Sequence, residues 1–229
     1  LIDAGFCVIN TAGTLFGGRR CFVLLKTKEG FQLPGGDDTE GYIVVQISHE
    51  YGIADLVLPT ATRVVCNNTL QVALGAADKK GKMDAGKFVH RAKTAFSVDK
   101  AQALIEAYRS GLGEYAEQAK FLTTKRATIE QTRAYINKVF KLEELKNGTG
   151  DEIAKRREHN AKVLQKLLTT VETQPGAALS AGSWWSNFHA VTYHEDHGRW
   201  ADKEAPVRFD GVGAERKKSA LKVALEMAS

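Results

Sequence analysis

Apolar and polar positions follow two periods along this chain, and the change of period falls near the end of its first third. Through residues 1–75 the apolar runs are short and strand-like. Cys21–Thr27 (CFVLLKT) is nearly continuous in apolar residues, as in a central strand. Lys28-Glu29-Gly30 reads as a turn, Phe31–Leu33 as a short strand and Pro34-Gly35-Gly36-Asp37-Asp38 as a loop. Tyr42–Ser48 and Ile53–Leu58 read as strands separated by a turn at Tyr51-Gly52. Pro59 suits a strand edge or a loop, and Thr62–Cys66 is the last strand. Short connections between these runs predict an antiparallel meander. The sharpest switch lies in TATRVVCNNTLQVAL (residues 60–74), where an apolar run meets Asn67-Asn68 and a helix-like run follows. Asparagine is a good N-cap, so a helix is expected to begin there and cover one face of the sheet.

Residues 94–229 change to helical spacing. Val98, Ala101, Ile105, Tyr108, Leu112, Tyr115, Ala119 and Leu122 recur every three or four positions and mark one apolar helix face, which Gly111 and Gly113 are expected to weaken or break. Thr128-Ile129-Glu130-Gln131 fits a capping box ahead of Tyr135, Ile136, Val139 and Phe140. Asp151 is the expected cap of the next helix, with Ile153, Leu164, Leu167, Leu168 and Val171 inward and Pro175-Gly176 stopping it. Trp184, Phe188 and Val191 share a helical face, residues 206–213 read as a loop, and a last helix is predicted over 214–228. The pattern predicts an α+β protein, with an antiparallel β-meander in the N-terminal third packed with helices and an α-helical C-terminal two-thirds. Residues 1–93 hold the sheet, its covering helix and a basic loop. Residues 94–229 form the helical region, packed on the sheet as one domain.

Composition narrows the class. With 229 residues, 43% hydrophobic and 26% charged, the chain can bury a real core. No apolar run reaches the roughly 18 residues that span a membrane, and the opening stretch lacks the basic region of a signal peptide. A first residue of leucine points to a start internal to a longer product. Cys7, Cys21 and Cys66 are odd in number and set in apolar runs, as expected of reduced thiols in a cytoplasmic protein. The formal net charge of +5 tilts the chain toward acidic partners such as nucleic acid.

Candidate chemistry is cationic. Residues 78–93 carry Lys79, Lys80, Lys82, Lys87, Arg91 and Lys93 against Asp78 and Asp84, a basic loop suited to phosphate contact. Arg19-Arg20 follows a glycine pair, and Lys155, Arg156, Arg157, Lys162 and Lys166 lie on the other face of their helix. Of the paired tryptophans, Trp184 is the core candidate. Trp185, one position on, is the candidate for base stacking. No nucleotide-binding glycine motif, no nucleophile elbow and no H-E-x-x-H occurs. His194-Glu195-Asp196-His197 is the one dense group of metal-type ligands; on a helix its two histidines share a face, but no further ligands are evident, so no metal, cofactor or catalytic residue is assigned.

Five segments in order carry a resemblance: GTLFGGRRCFVLLKT, GYIVVQISHEYG, ATRVVCNNTLQVAL, WWSNFHAVTYHEDH and DGVGAERKKSALKVALEMA. Together they resemble a phage- and plasmid-type family that bears a "domain of unknown function" label. The resemblance runs from about residue 11 to the C-terminus. Where that family places Asn before Ala-Val-Thr, this chain has His189, and Asn187 stands two positions earlier. The resemblance implies genes of replication and recombination, and the strand-then-helix order is loosely similar to single-strand annealing proteins of the Red-beta and RecT kind.

The expectation is a non-enzymatic, phage-type protein of the host cytoplasm that binds single-stranded DNA, acts in recombination or replication, and assembles with itself. Two alternatives stand beside it. One is a structural or assembly protein with no nucleic-acid role, using the residue 98–122 helix face as its seam. The other is a metal-dependent nucleic-acid enzyme built on residues 194–197.

Overall fold

The structure, a computed structural model, describes residues 5–15, 17–51, 55–63, 68–71, 87–88, 98–142, 149–198 and 211–229. Two compact units divide the chain, one of Leu1–Glu117 with Glu204–Pro206 and the other of Gln118–Lys203 with Val207–Ser229. The fold is α+β, with strands first and helices after them.

The first unit holds an antiparallel sheet of β1 (Cys7–Leu15), β2 (Arg20–Leu33), β3 (Asp37–Ser48), β4 (Asp55–Arg63), β5 (Asn68–Gln71) and β6 (Lys87–Phe88). Strands β1 to β5 lie side by side in chain order, as a meander does, and β6 also pairs with β4. The sheet departs from the sequence pattern at four places. β1 is a strand that the pattern did not single out, because its apolar residues Val8 and Ile9 face solvent. β2 runs straight through the expected turn at Lys28-Glu29-Gly30 and absorbs it as a bulge between Lys26 and Gly30. The Thr27 hydroxyl holds that bulge, accepting from the Glu29 amide at 3.3 Å. β4 is one strand across Pro59, not two, and Pro59 pairs with Ile43. On its other side β5 covers residues 60–63 and β6 covers 55–56, so Pro59 falls between the described partners, where its missing N–H is tolerated.

The fourth departure is the stretch after Asn67. Asn68–Gln71 is a strand paired with Thr60–Arg63, not the first turn of a helix. Its helix-like spacing of apolar residues spans only a few positions, and pairing to the preceding strand outweighs so short a pattern.

Helix α1 (Val98–Thr124) covers the sheet with the expected face. Tyr108, Leu112 and Tyr115 are buried, and the helix continues through Gly111 and Gly113. The Tyr108 hydroxyl meets the Thr27 hydroxyl at 3.0 Å, and the Tyr115 ring stands edge-on to Phe31 at 5.6 Å. A glycine at 41 makes this approach possible: a Cβ there would strike the Tyr108 hydroxyl and lie 2.7 Å from Thr27 Oγ1.

The second unit contains the end of α1, then α2 (Ile129–Phe140), α3 (Gly150–Thr173), a short 3-10 turn (Ala177–Ser180), α4 (Trp184–Tyr193), a π-helical turn (His194–Gly198) and α5 (Gly211–Ala228). α2 starts with the expected capping box of Thr128 and Gln131. α3 is capped two residues earlier than Asp151, by Thr149 with Glu152 completing the box. α4 packs against both α3 and α5. Every residue from Trp184 to Thr192 is buried, and several of the polar ones find partners inside. Asn187 donates to Thr132 Oγ1 at 2.9 Å, Ser186 to the Val171 carbonyl at 3.3 Å and Thr192 to the His189 carbonyl at 3.0 Å. Each large apolar side chain sunk here contributes about 1.5–3 kcal/mol, so α4 is the centre of this unit's core.

Candidate nucleic-acid interface

Helix α3 sorts its residues by angle. Successive positions turn by about 100°, so Leu167 and Leu168 point inward while a stripe on the far side faces water. That stripe is Lys155, His159, Lys162 and Lys166, spaced i, i+4, i+7 and i+11, and all four are exposed. It runs about 16 Å along the helix. A shallow groove of about 630 Å³ beside it is lined by Glu158, Ala161, Lys162, Gln165, Lys166, Thr169 and Thr170. Glu158 accepts from Lys162 at 2.6 Å, and that hydrogen bond holds its carboxyl below the usual range. Lys166 donates to the Gly198 carbonyl at 3.2 Å. Of the chain's 32 basic and 27 acidic residues, 19 and 13 fall in this helical unit, so the whole basic excess sits there.

The other basic candidates are distributed differently. Lys155-Arg156-Arg157 is not one patch, since consecutive residues fan around the helix. Lys155 and Arg157 are exposed on different sides, whereas Arg156 is half-buried with its guanidinium 3.4 Å from the Lys141 carbonyl. In the sheet unit, Arg19 and Arg20 converge on Glu50, at 3.4 Å and 2.6 Å. Lys87 lies in β6, and Lys79, Lys80, Lys82, Arg91 and Lys93 fall outside the described residues.

Trp185 is not the exposed stacking ring expected from its position. It is 0% exposed, 4.2 Å from the His189 ring and 5.6 Å from Phe188. Trp184 is buried beside it, edge-on to Tyr135 at 5.7 Å. Adjacent helix positions point apart, but α4 is covered on both sides, so both rings are core. A ring that does stand in solvent, and that the sequence pattern did not single out, is Tyr51, which follows Glu50. A tyrosine in a polar turn has no apolar period to place it.

Residues 194–197 form a charge lock. The π-helical turn presents Glu195 and Asp196 to α5, where Arg216 donates to Glu195 at 2.5 Å and Lys217 to Asp196 at 2.7 Å. Glu195, Asp196 and Lys217 are almost wholly buried. The guanidinium of Arg216 also lies over the Phe140 ring at 4.8 Å. Carboxylates engaged in this way join α4 to α5, and among the described residues no group of three His, Cys, Asp or Glu is placed to hold a metal ion. Both segments of this lock stand out in the sequence, but their pairing spans 21 positions and has no local signal.

A meandering sheet unit followed by a helical unit with an ion-locked core defines an α+β protein whose helical unit carries its basic excess. Among the described residues no helix is long and apolar enough to cross a membrane. The chain belongs to the family described as a domain of unknown function, DUF932, whose pattern matches residues 1–222. Comparison with curated proteins and with solved structures gives no match.

Proposed function

We propose that the protein binds single-stranded DNA through its phosphate backbone, without catalysing a reaction, and serves phage- or plasmid-type recombination or replication. The observation that carries this reading is the exposed stripe of Lys155, His159, Lys162 and Lys166 along α3. Lysines two turns and then one turn apart, Lys155, Lys162 and Lys166, with the exposed His159 ring between the first two, offer a strand of phosphates a row of partners, and such pairing carries no sequence preference. The family resemblance supplies the genetic setting, and the basic excess of the helical unit supports a polyanionic partner.

The test is fluorescence anisotropy of a labelled oligo-dT at increasing salt. The wild type binds at low salt and weakens steeply as salt rises. Reversing Lys155 and Lys162 to Glu makes the slope of log K against log salt shallower by about 0.7 for each phosphate no longer neutralised. Absence of binding at low salt, or a double variant that binds like the wild type, removes the reading.

A second element of the proposal is self-assembly. β1 has no charged residue and no proline in CVINTAGTL, and Val8 and Ile9 on it are exposed. An edge strand without those guards is a template for another strand. In light scattering, Ala12→Lys should shift the protein toward the monomer. An unchanged mass would place assembly on another surface. A defined oligomer that ignores DNA would favour the structural alternative.

A further inference from the structure

We infer that Tyr51 is a nucleobase-stacking residue and that Arg19 and Arg20, held by the preceding residue Glu50, engage the phosphates of the same unpaired strand; this rests on the single-stranded DNA reading above. The ends of β2 and β3 build the site. Gly17 and Gly18 both take positive φ, 67° and 89°, and turn the chain into Arg19-Arg20. Across the hairpin, the His49 amide donates to the Arg19 carbonyl at 2.8 Å, and Arg20 pairs in register with Ser48. The Ser48 hydroxyl accepts from the Glu50 amide at 3.1 Å. Glu50 then holds Arg20 Nε at 2.6 Å and Arg19 Nη1 at 3.4 Å. His49 and Glu50, which lead into Tyr51, are therefore fixed against the two arginines.

Tyr51 follows Glu50 directly and is 106% exposed. Tyr108, Tyr115, Tyr135, both tryptophans and Phe188 are packed in the core, and Phe22, Phe31, Tyr42, Phe121, Phe140 and Tyr193 are half-buried. Arg19 keeps 64% of its side chain exposed while tethered to Glu50. An exposed ring one position along the chain from the carboxylate that gathers two guanidinium groups supplies the two parts that single-strand binding uses, because every base has a π-face and every nucleotide a phosphate. Charge complementarity selects the occupant: two guanidinium groups on the one carboxylate of Glu50 leave a local positive charge that favours phosphate oxygens, and a phenol ring favours a base unstacked from its neighbours.

The experiment compares the full chain with Tyr51→Ala and Tyr51→Phe, using labelled oligo-dT and an abasic strand of equal length. Wild type should prefer oligo-dT to the abasic strand. Tyr51→Ala should lose affinity for oligo-dT by about fivefold or more and lose that preference. Tyr51→Phe should restore both. If wild type binds oligo-dT and Tyr51→Ala binds it equally, the stacking role is overturned while the backbone reading stands. If wild type binds neither strand, both fall.

Discussion

Asp37 and Arg63 form the most enclosed charge pair of the sheet unit's described residues. Arg63 Nε and Nη2 meet the two carboxylate oxygens at 2.6 Å and 2.7 Å, with both side chains nearly inaccessible. Such a pair stabilises little relative to apolar residues of the same size, but half of it is costly, because the remaining charge stays buried. Asp37→Asn should therefore destabilise the protein by about 3–5 kcal/mol, seen as a fall in the urea midpoint. Asp37→Leu combined with Arg63→Met should cost much less than either single change. Nothing in the sequence flagged this pair, since Asp37 sat in a glycine-rich loop signal and Arg63 in a strand, and only strand register brings β3 and β4 together there. Trp185 was misplaced for a related reason. A helical wheel assumes one wet face, and α4 has none.

Among the elements, α2 is the most legible, because a capping box and the 3.6 period are local signals; α3 shows the period, but its cap is Thr149 and not the expected Asp151. Thr128→Ala and Thr149→Ala should each lower stability by about 1 kcal/mol, measurable as separate shifts in thermal midpoint. Elements are less legible where no local pattern marks them: apolar side chains of β1 face water, and the short run of β5 has helical spacing. The lock between the π-helical turn and α5 belongs to this class too. Asp196→Asn should unseat Lys217, which is 1% exposed, and destabilise the helical unit by several kcal/mol. Circular dichroism melts of Asp196→Asn and of Lys218→Ala, an exposed neighbour, separate this from a general surface effect.

For the molecule as a whole, pH sets the window of stability. In the sheet unit, burial first and the hydrogen bond to Glu40 second push Tyr42 up to about 12. Burial also pushes Tyr108 up to about 12, against the opposing effect of its bond to Thr27. In the helical unit burial raises Tyr135 further. A raised phenol favours the neutral form in the fold, so its contribution is complete below about pH 10 and is lost as pH rises toward 12. Glu40 runs the other way. Its hydrogen bond from Lys26, then that from Tyr42, pulls its carboxyl down, so its contribution holds at neutral pH and is lost on acidification through that lowered value. In alkali, circular dichroism should stay native up to about pH 10, and tyrosinate absorbance from Tyr42 and Tyr108 should arrive together with unfolding as pH rises toward about 12. Loss of structure below about pH 10 would contradict the assignment. Because Gly41 leaves space that the Tyr108 hydroxyl and Thr27 already fill, these three positions cannot drift independently in descent. Lineages of this family that keep a tyrosine at 108 over a threonine at 27 should retain glycine at 41, and any that replace it should carry smaller partners at both other sites.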